Sequence, residues 1–294
     1  MAIREKGCQV PEAEGTSINK PTLYKFRSMR DPTTVVALVT DSNYFHKALR
    51  TIQQIRNVGQ WEGDIVLLTV DFEPDSSQTQ PLNIQVRRIQ HIDTTNLVEV
   101  YKTYPLKSSD NRHTGKLTQW DKLQIFSDFF RAWERVVYFD AGIHIFDTIQ
   151  PLLDLPWRGK FLAPDDSDPY DNGNRFQCQV QLSANPDAAK QFQEDWSPEI
   201  LQQTYFLNCL WVYDTALLSQ VSMEEMVEAM NKYPICGTNE MVILNLFFTF
   251  KLKVWEPLPQ RVGDKYLFGW CEYNYRERLT WRNFHFLKYP VTNR

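Results

Sequence analysis

Short β-prone segments alternate with an amphipathic one early in the chain, and this alternation restricts the fold more than any other feature. Val35–Val39, Ile65–Val70 and Ile84–Ile89 have the length and residue types of strands. Between the first two, residues 45–58 repeat apolar side chains at three-residue steps, which is typical of one helix face, and Gly59 then ends the helix. This order is what a parallel, doubly wound sheet produces. The sequence therefore predicts an α/β fold.

The composition narrows the possible partners and compartment. The chain has 36 acidic and 32 basic residues among 294, a net charge of −4, which gives no reason to expect nucleic acid as a partner. Its apolar runs are shorter than the roughly 20 residues of a membrane span, and its N-terminus has no signal-like apolar stretch. Five scattered cysteines without a CxxC indicate reduced thiols. We therefore expect a cytoplasmic protein without a membrane span.

Later segments extend the pattern. Apolar and aromatic residues at three- and four-residue steps from Asp121 to Trp133 predict a helix on the sheet. A strand is expected at Gln203–Val212, and helices at Met223–Met230 and Asn239–Phe250, the last capped by Thr238 or Asn239.

An acidic residue follows a strand in the middle of the chain. Val136–Phe139 is β-prone and ends on Asp140. In open α/β sheets ligands bind beyond the carboxyl ends of the strands. An acid there can hold a divalent cation, and the cation can hold a diphosphate. The alternative is that Asp140 and Gly142 only form a turn.

Six segments resemble, in the same order, the motifs of the glycogenin-like glycosyltransferases of glycosyltransferase family 8. They are Thr40–Tyr44, Lys122–Leu123, Tyr138–Gly142, Tyr205–Tyr213, Asn239–Asn245 and His285–Pro290. The resemblance implies a single GT-A (Rossmann-like) domain with a central, mostly parallel sheet flanked by helices. This domain is expected over residues 32–294, after a loosely ordered arm over residues 1–31.

The resemblance also implies which residues bind the nucleotide-sugar donor. They are Thr40, Asp41, Asn43, Tyr44, Lys122, Ala141, Gly142 and Lys288. The first four would hold the nucleobase and ribose, and the two lysines would approach the phosphates. Alternatively, Asp41 or Ser42 caps the next helix, and Lys122 is a solvated helix lysine.

A metal shell is predicted from two residues, Asp140 and His285, which would hold Mn²⁺ or Mg²⁺. The family uses a second acid where this chain has Gly142, and Lys288 follows His285 by three residues where the family has six. His144 competes as a ligand, since it lies on the same side as Asp140 if the segment is extended. Alternatively, His285 belongs to an aromatic cluster.

Glu240 and Asn208 are predicted to act around the transferred sugar. Glu240 stands at a helix start where the family has an acid, and Asn208 would bind sugar hydroxyls. An acid at a helix start can equally complement the helix dipole. Asp165 and Asp166 lie in a turn-rich loop that either lines the acceptor pocket or is only solvated.

The resulting hypothesis is a metal-dependent glycosyltransferase. It would move a sugar from a nucleotide-diphosphate sugar, a UDP-sugar before a GDP-sugar, to a hydroxyl of a glycan or other acceptor, with retention. The alternatives are a non-catalytic nucleotide-sugar-binding pseudoenzyme and a sugar-1-phosphate nucleotidyltransferase. The latter would need a glycine-rich phosphate loop after the first strand, and Thr40–Tyr44 contains no glycine.

Overall fold

The structure, a computed structural model, describes residues 31, 33–108, 110–166, 174–272, 275 and 278–290. The arm predicted over residues 1–31 therefore lies outside the described residues except for Asp31, whose carboxylate pairs with Arg135 at 2.7 Å. Within the described ranges, no helix combines the length and apolar character needed to cross a lipid bilayer.

Eleven strands are described, and they form two sheets. They are β1 (Thr34–Thr40), β2 (Asp64–Val70), β3 (Gln85–Ile89), β4 (Arg135–Phe139), β5 (His144–Ile145), β6 (Phe161–Ala163), β7 (Leu210–Asp214), β8 (Trp255–Pro257), β9 (Arg261–Val262), β10 (Lys265–Gly269) and β11 (Phe284–Leu287). The larger sheet has the order β3-β2-β1-β4-β7-β6-β8, and the smaller one β5-β11-β10-β9. In the larger sheet β3, β2, β1 and β4 are parallel, and β7 is antiparallel to both of its neighbours. The predicted α/β fold with a mostly parallel central sheet is confirmed.

Helices flank the large sheet. The α-helices are α1 (Phe45–Asn57), α2 (Ser76–Thr79), α3 (Thr95–Thr103), α4 (Arg112–Gly115), α5 (Gln150–Leu153), α6 (Pro186–Asp195), α7 (Met223–Lys232) and α8 (Glu240–Asn245). The 3₁₀-helices are Gln80–Leu82, Leu117–Phe126, Asp128–Ala132, Phe176–Gln179, Pro198–Gln202, Thr215–Ser219 and Trp281–Asn283. A π-helical segment, Leu246–Lys251, continues α8. The helices predicted at residues 45–58 and Met223–Met230 are confirmed as α1 and α7.

The helix predicted from Asp121 to Trp133 is wrong in type, because two 3₁₀-helices separated by an extended Ser127 stand there. Trp120, Leu123 and Phe126 are all buried. Their exact three-residue spacing matches the three residues per turn of a 3₁₀-helix, in which such side chains eclipse one another. Packing on the sheet therefore favours the tighter helix.

The strand predicted at Gln203–Val212 is shorter and later, since β7 begins only at Leu210. The backbone N–H of Phe206 donates to Asn245 Oδ1 at 3.0 Å, and Asn245 Nδ2 donates to the Phe206 carbonyl at 3.1 Å. Phe206 forms only an isolated antiparallel bridge with Asp165, and the Asn245 amide satisfies its backbone N–H and carbonyl.

The helix predicted at Asn239–Phe250 is α-helical only over α8, and Asn239, one of the two predicted caps, stands at its N-cap position. Asn239 precedes it with φ 52°, but its side chain makes no capping bond. Its Nδ2 instead donates to Gln119 Oε1 at 2.8 Å. Its Oδ1 lies 3.0 Å from His113 Nδ1, from which it accepts a hydrogen bond. Asn239 therefore connects the start of α8 with the segments that contain His113 and Gln119.

The sheet topology creates a crevice beside β1. From β1 the chain continues to β2 and β3 on one side, whereas β4 lies on the other side. Parallel strands that diverge in this way leave a gap at their carboxyl ends, where ligands bind in such folds. Asp41 and Asp140 stand at the two sides of this gap, directly after β1 and β4.

A buried hydroxyl ties α1 to the turn after β4. Thr51 Oγ1 accepts from the backbone N–H of Gly142 at 3.1 Å and lies 2.9 Å from the carbonyl of Ile143, to which it donates. Gly142 has φ 93°, a conformation that favours glycine. Without this hydroxyl, the backbone N–H of Gly142 and the carbonyl of Ile143 would be buried without these hydrogen bonds.

We expect Thr51→Val to destabilise the protein by about 1–3 kcal/mol, because an isosteric methyl leaves the Gly142 N–H and the Ile143 carbonyl unsatisfied. Urea denaturation measures the loss. Thr51→Ser keeps the hydroxyl and should cost only about 1 kcal/mol for its missing methyl. A Ser variant as unstable as the Val variant would contradict this role.

Candidate functional site

A cavity of about 380 Å³ lies at the carboxyl ends of β1 and β4. Its volume is that of a small-molecule site. Its lining contains the bases Lys47, Arg50, Lys116, Lys122 and Lys288, the acids Asp41 and Asp140, the tyrosines Tyr44 and Tyr289, and Val39, Thr40, Thr118, Gln119, Ala141, Gly142, His144 and Pro290. Seven of the eight predicted donor-binding residues line it, whereas Asn43 is exposed outside this lining.

Asp140 is the centre of the site's ion pairs. Lys122 Nζ lies 3.2 Å from Oδ1, which also accepts from the Tyr138 hydroxyl at 3.1 Å. Lys288 Nζ donates to Oδ2 and, at 3.2 Å, to the Ala141 carbonyl. Burial alone would raise the pKa of Asp140, but the two ammonium groups lower it to about 2. The carboxylate is therefore ionised, and each of its oxygens is paired with a lysine ammonium group.

Behind the cavity the ion pairs continue to the two predicted catalytic residues. Lys122 Nζ lies 2.8 Å from Glu240 Oε1, which also accepts from Asn208 Nδ2 at 2.6 Å. Glu240 is only 1% exposed, and neither it nor Asn208 lines the cavity. Burial raises the pKa of Glu240, and Lys122 opposes this rise. In this arrangement Glu240 is the buried counter-ion that orients Lys122, and Asn208 orients Glu240.

Asp41 holds the start of α1. Its Oδ1 accepts from the backbone N–H of Tyr44 at 2.9 Å, and its Oδ2 accepts from the Thr118 hydroxyl at 2.9 Å. The N-cap of α1 is Tyr44, without a side-chain capping bond, so neither Asp41 nor Ser42 caps the helix. Asp41 binds the backbone N–H of this N-cap and also lines the cavity. Thr40 donates to the Asp41 carbonyl at 2.9 Å.

Two cations of the site were not identified from the sequence. Lys47 and Arg50 lie on α1, three residues apart and hence on one helix face. In the described part of the chain, no ion pair includes either of them, and Arg50 Nε is buried without a hydrogen-bond partner. The sequence feature that could have identified them is this pair of basic residues, three positions apart on the first helix after the first strand.

His144 lines the cavity between the cations. Burial, together with the charges of Arg50 and Lys288, lowers its pKa to about 4. The imidazole is therefore neutral at pH 7. The electrostatic potential that Arg50 and Lys288 produce at this ring is positive and disfavours its protonation.

His285 does not reach the cavity. It precedes Phe286 in β11, and Phe286 packs against Phe139 of β4 with ring centroids 5.6 Å apart. Consecutive strand residues point to opposite faces. His285 accordingly faces Asp147, with Nδ1 3.7 Å from the carboxylate. The structure does not bring Asp140 and His285 together, which corrects the predicted metal shell.

The donor set does not fit a divalent metal ion. Among the described residues no group of three or more His, Cys, Asp or Glu side chains is placed to hold one. Both oxygens of Asp140 are engaged by lysines, and Mg²⁺ or Mn²⁺ needs oxygen ligands free of such competition.

The acids of the predicted acceptor loop lie elsewhere. Asp166 accepts from the Tyr205 hydroxyl and, at 3.1 Å, from Asn174 Nδ2, and burial raises its pKa. Neither Asp165 nor Asp166 lines the cavity. Residues 167–173 of this loop lie outside the described residues.

Comparisons with known proteins agree with this architecture. The family model of Glycosyl transferase family 8 matches residues 35–263. The galactosyltransferase LgtC, solved with donor and acceptor sugar analogues, superposes with a TM-score of 0.56 and 15% identity over 87% of this chain and 86% of LgtC. The apo bifunctional glycosyltransferase WbbM has a TM-score of 0.55 and 16% identity over 90% of this chain and 46% of its own. No curated protein matches the chain in sequence. These likenesses show the GT-A fold.

We expect Lys122→Met to destabilise the protein by about 3–5 kcal/mol, because it leaves Glu240 as an uncompensated buried charge. Adding Glu240→Gln should recover a large part of this loss, as measured by chemical denaturation at pH 7. Lys116→Met is the matched control, since Lys116 is half-exposed and pairs with Asp110, and it should cost no more than about 1 kcal/mol. No recovery in the double variant would refute the counter-ion role.

His144 should make the folded protein less stable as the pH falls from 6.5 to 4. Its pKa drops from 6.5 to about 4 on folding, so in this window the unfolded chain binds a proton that the folded chain rejects. The loss should be about 1–3 kcal/mol for this half-buried group. Denaturation midpoints across this range should fall less steeply in His144→Gln, and parallel curves would disprove the effect.

Proposed function

The chain belongs to glycosyltransferase family 8 and is a glycosyltransferase, and we propose that it moves a hexosyl or pentosyl group from a UDP-sugar to a hydroxyl of a glycan or other acceptor, with retention. The observation that carries this proposal is the cavity at the carboxyl ends of β1 and β4, which combines exposed tyrosines with a cluster of cations. A nucleotide sugar needs both features, a stacking surface for the base and positive charge for the diphosphate.

The nucleobase and ribose are assigned to the β1 side of the cavity. Tyr44 is 38% exposed and lines the cavity on this side, whereas Tyr289, 52% exposed, lines it next to Lys288. An exposed aromatic ring at a cavity is suited to stacking on a planar base. Thr40, Asp41 and Thr118 supply hydroxyl and carboxylate groups on the side of Tyr44. The diphosphate is assigned to the opposite side, where Lys288 and Lys122 surround Asp140.

Transfer breaks the bond between the anomeric carbon and the β-phosphate oxygen and forms a bond to the acceptor oxygen. The acceptor hydroxyl must lose its proton in this step. Asp41 and Asp140, the carboxylates described in the cavity lining, are both engaged by partners within the protein. We therefore assign the proton to an oxygen of the departing diphosphate. Departure and attack then share one face of the sugar, which gives retention.

Donor binding and turnover test the proposal together. The purified protein is incubated with a panel of UDP- and GDP-sugars, and release of the free nucleotide is measured with and without glycan acceptors. We expect release from a UDP-sugar. Binding of UDP without any release would instead favour the pseudoenzyme, and failure to bind either nucleotide would disprove the assignment.

Tyr44→Ala should weaken UDP binding by about tenfold, since stacking of one base contributes about 1–3 kcal/mol. Calorimetry measures the change. Tyr104→Ala is the matched control, because Tyr104 ends α3 outside the cavity, and it should leave the affinity unchanged. Equal affinities of both variants would remove Tyr44 from the base site.

A further inference from the structure

The charges around the cavity do not balance within the protein. Asp140 and Glu240 are matched by Lys122 and Lys288, which form ion pairs with them. Lys116 is matched by Asp110 at 2.7 Å, and Asp41 remains at the β1 side. Lys47 and Arg50 are left without an acidic partner in the described part of the chain.

Among the described cavity residues, Lys47 and Arg50 are thus two cations without an acidic partner, while Asp41 keeps one negative charge on the β1 side. The diphosphate of a nucleotide sugar carries about two negative charges, one on each phosphate diester. Arginine is suited to phosphate because its planar guanidinium donates two parallel hydrogen bonds, and lysine acts as a point charge. Their partly buried position on one face of α1 makes both interactions stronger than in water.

The turn after β4 places Gly142, the position where the family has its second acid, close to Arg50. A Cβ added at Gly142 would lie 3.8 Å from Arg50 Nη2 and 3.6 Å from Lys47 Cδ. The guanidinium thus stands beside the one position from which a second carboxylate would approach a metal. The chain has a glycine there, with φ 93°, and basic side chains next to it.

From this arrangement we infer that Lys47 and Arg50, beside the Asp140–Lys288 ion pair, hold and neutralise the donor diphosphate directly, so that donor binding and sugar transfer require no divalent metal ion. This inference rests on the proposed function. As the bond to the anomeric carbon breaks, the negative charge that gathers on the departing diphosphate is stabilised by cations already in position.

Titration of UDP into the full chain is the first test. The protein is dialysed against EDTA, and the calorimetric Kd is compared with that in Mn²⁺ or Mg²⁺. We expect the values to agree within about threefold, a difference below about 1 kcal/mol, and nucleotide release from the donor to continue in EDTA. Binding or release that occurs only with metal would overturn the inference and leave the proposed function intact. Absence of UDP binding in every buffer would count against both.

A double variant tests the two cations on α1. Lys47→Gln with Arg50→Gln should weaken UDP binding in EDTA by about 30- to 100-fold, since each lost charged contact contributes about 1–1.5 kcal/mol. Uridine has no phosphate, so its affinity, measured by ligand-observed NMR, should not change. Arg158→Gln with Lys190→Gln is the matched control, because both side chains are exposed outside the cavity. An unchanged UDP affinity, or an equal loss for uridine, would refute the assignment.

Position 142 offers a second test that separates charge from backbone strain. Gly142→Asp and Gly142→Asn place side chains of nearly equal size at the same positive φ. Only the Asp variant adds a negative charge beside Lys47 and Arg50. We expect UDP to bind the Asp variant in EDTA at least about tenfold more weakly than the Asn variant. Equal affinities would show that these cations do not face the diphosphate.

Discussion

The ion pairs of Asp140 organise the site, because they join three parts of the chain that are distant in sequence. Asp140 follows β4, Lys122 lies in a 3₁₀-helix before that strand, and Lys288 follows β11 near the end of the described chain. Each ammonium is almost fully buried. Removing either partner would leave an uncompensated charge in a low-dielectric environment, which is far more costly than the loss of a surface ion pair. The two ammonium groups are therefore in place around Asp140 before any ligand binds.

Helix α1 contributes a second constraint through one hydroxyl. Thr51 fixes the turn that contains Gly142, and the same helix carries Lys47 and Arg50 on the face toward the cavity. The position of the turn and the position of the unmatched cations are thus coupled. The cavity therefore has basic side chains next to Gly142, on the helix that also fixes this turn.

Elements defined by local patterns were predicted well from the sequence, and those shaped by distant contacts were not. Strand β1 and helix α1 follow directly from apolar periodicity, since side-chain spacing and burial agree there. The segment 117–126 became a 3₁₀-helix under packing on the sheet. Strand β7 begins late, and before it the side chain of Asn245, from a later helix, satisfies the backbone of Phe206. Neither effect is visible in local residue order.

The sequence alone determined the strand–helix order, the acidic residue at the end of β4 and the set of motifs around the cavity, because these depend on residues close together in the chain. Tertiary structure decided which groups Asp140 meets. His285 and Lys288 are three residues apart, yet only Lys288 reaches Asp140, while His285 faces Asp147. That outcome depends on the packing of β11 against β4, and about half of the chain separates these two strands in sequence. Spacing in sequence contains no information about that contact.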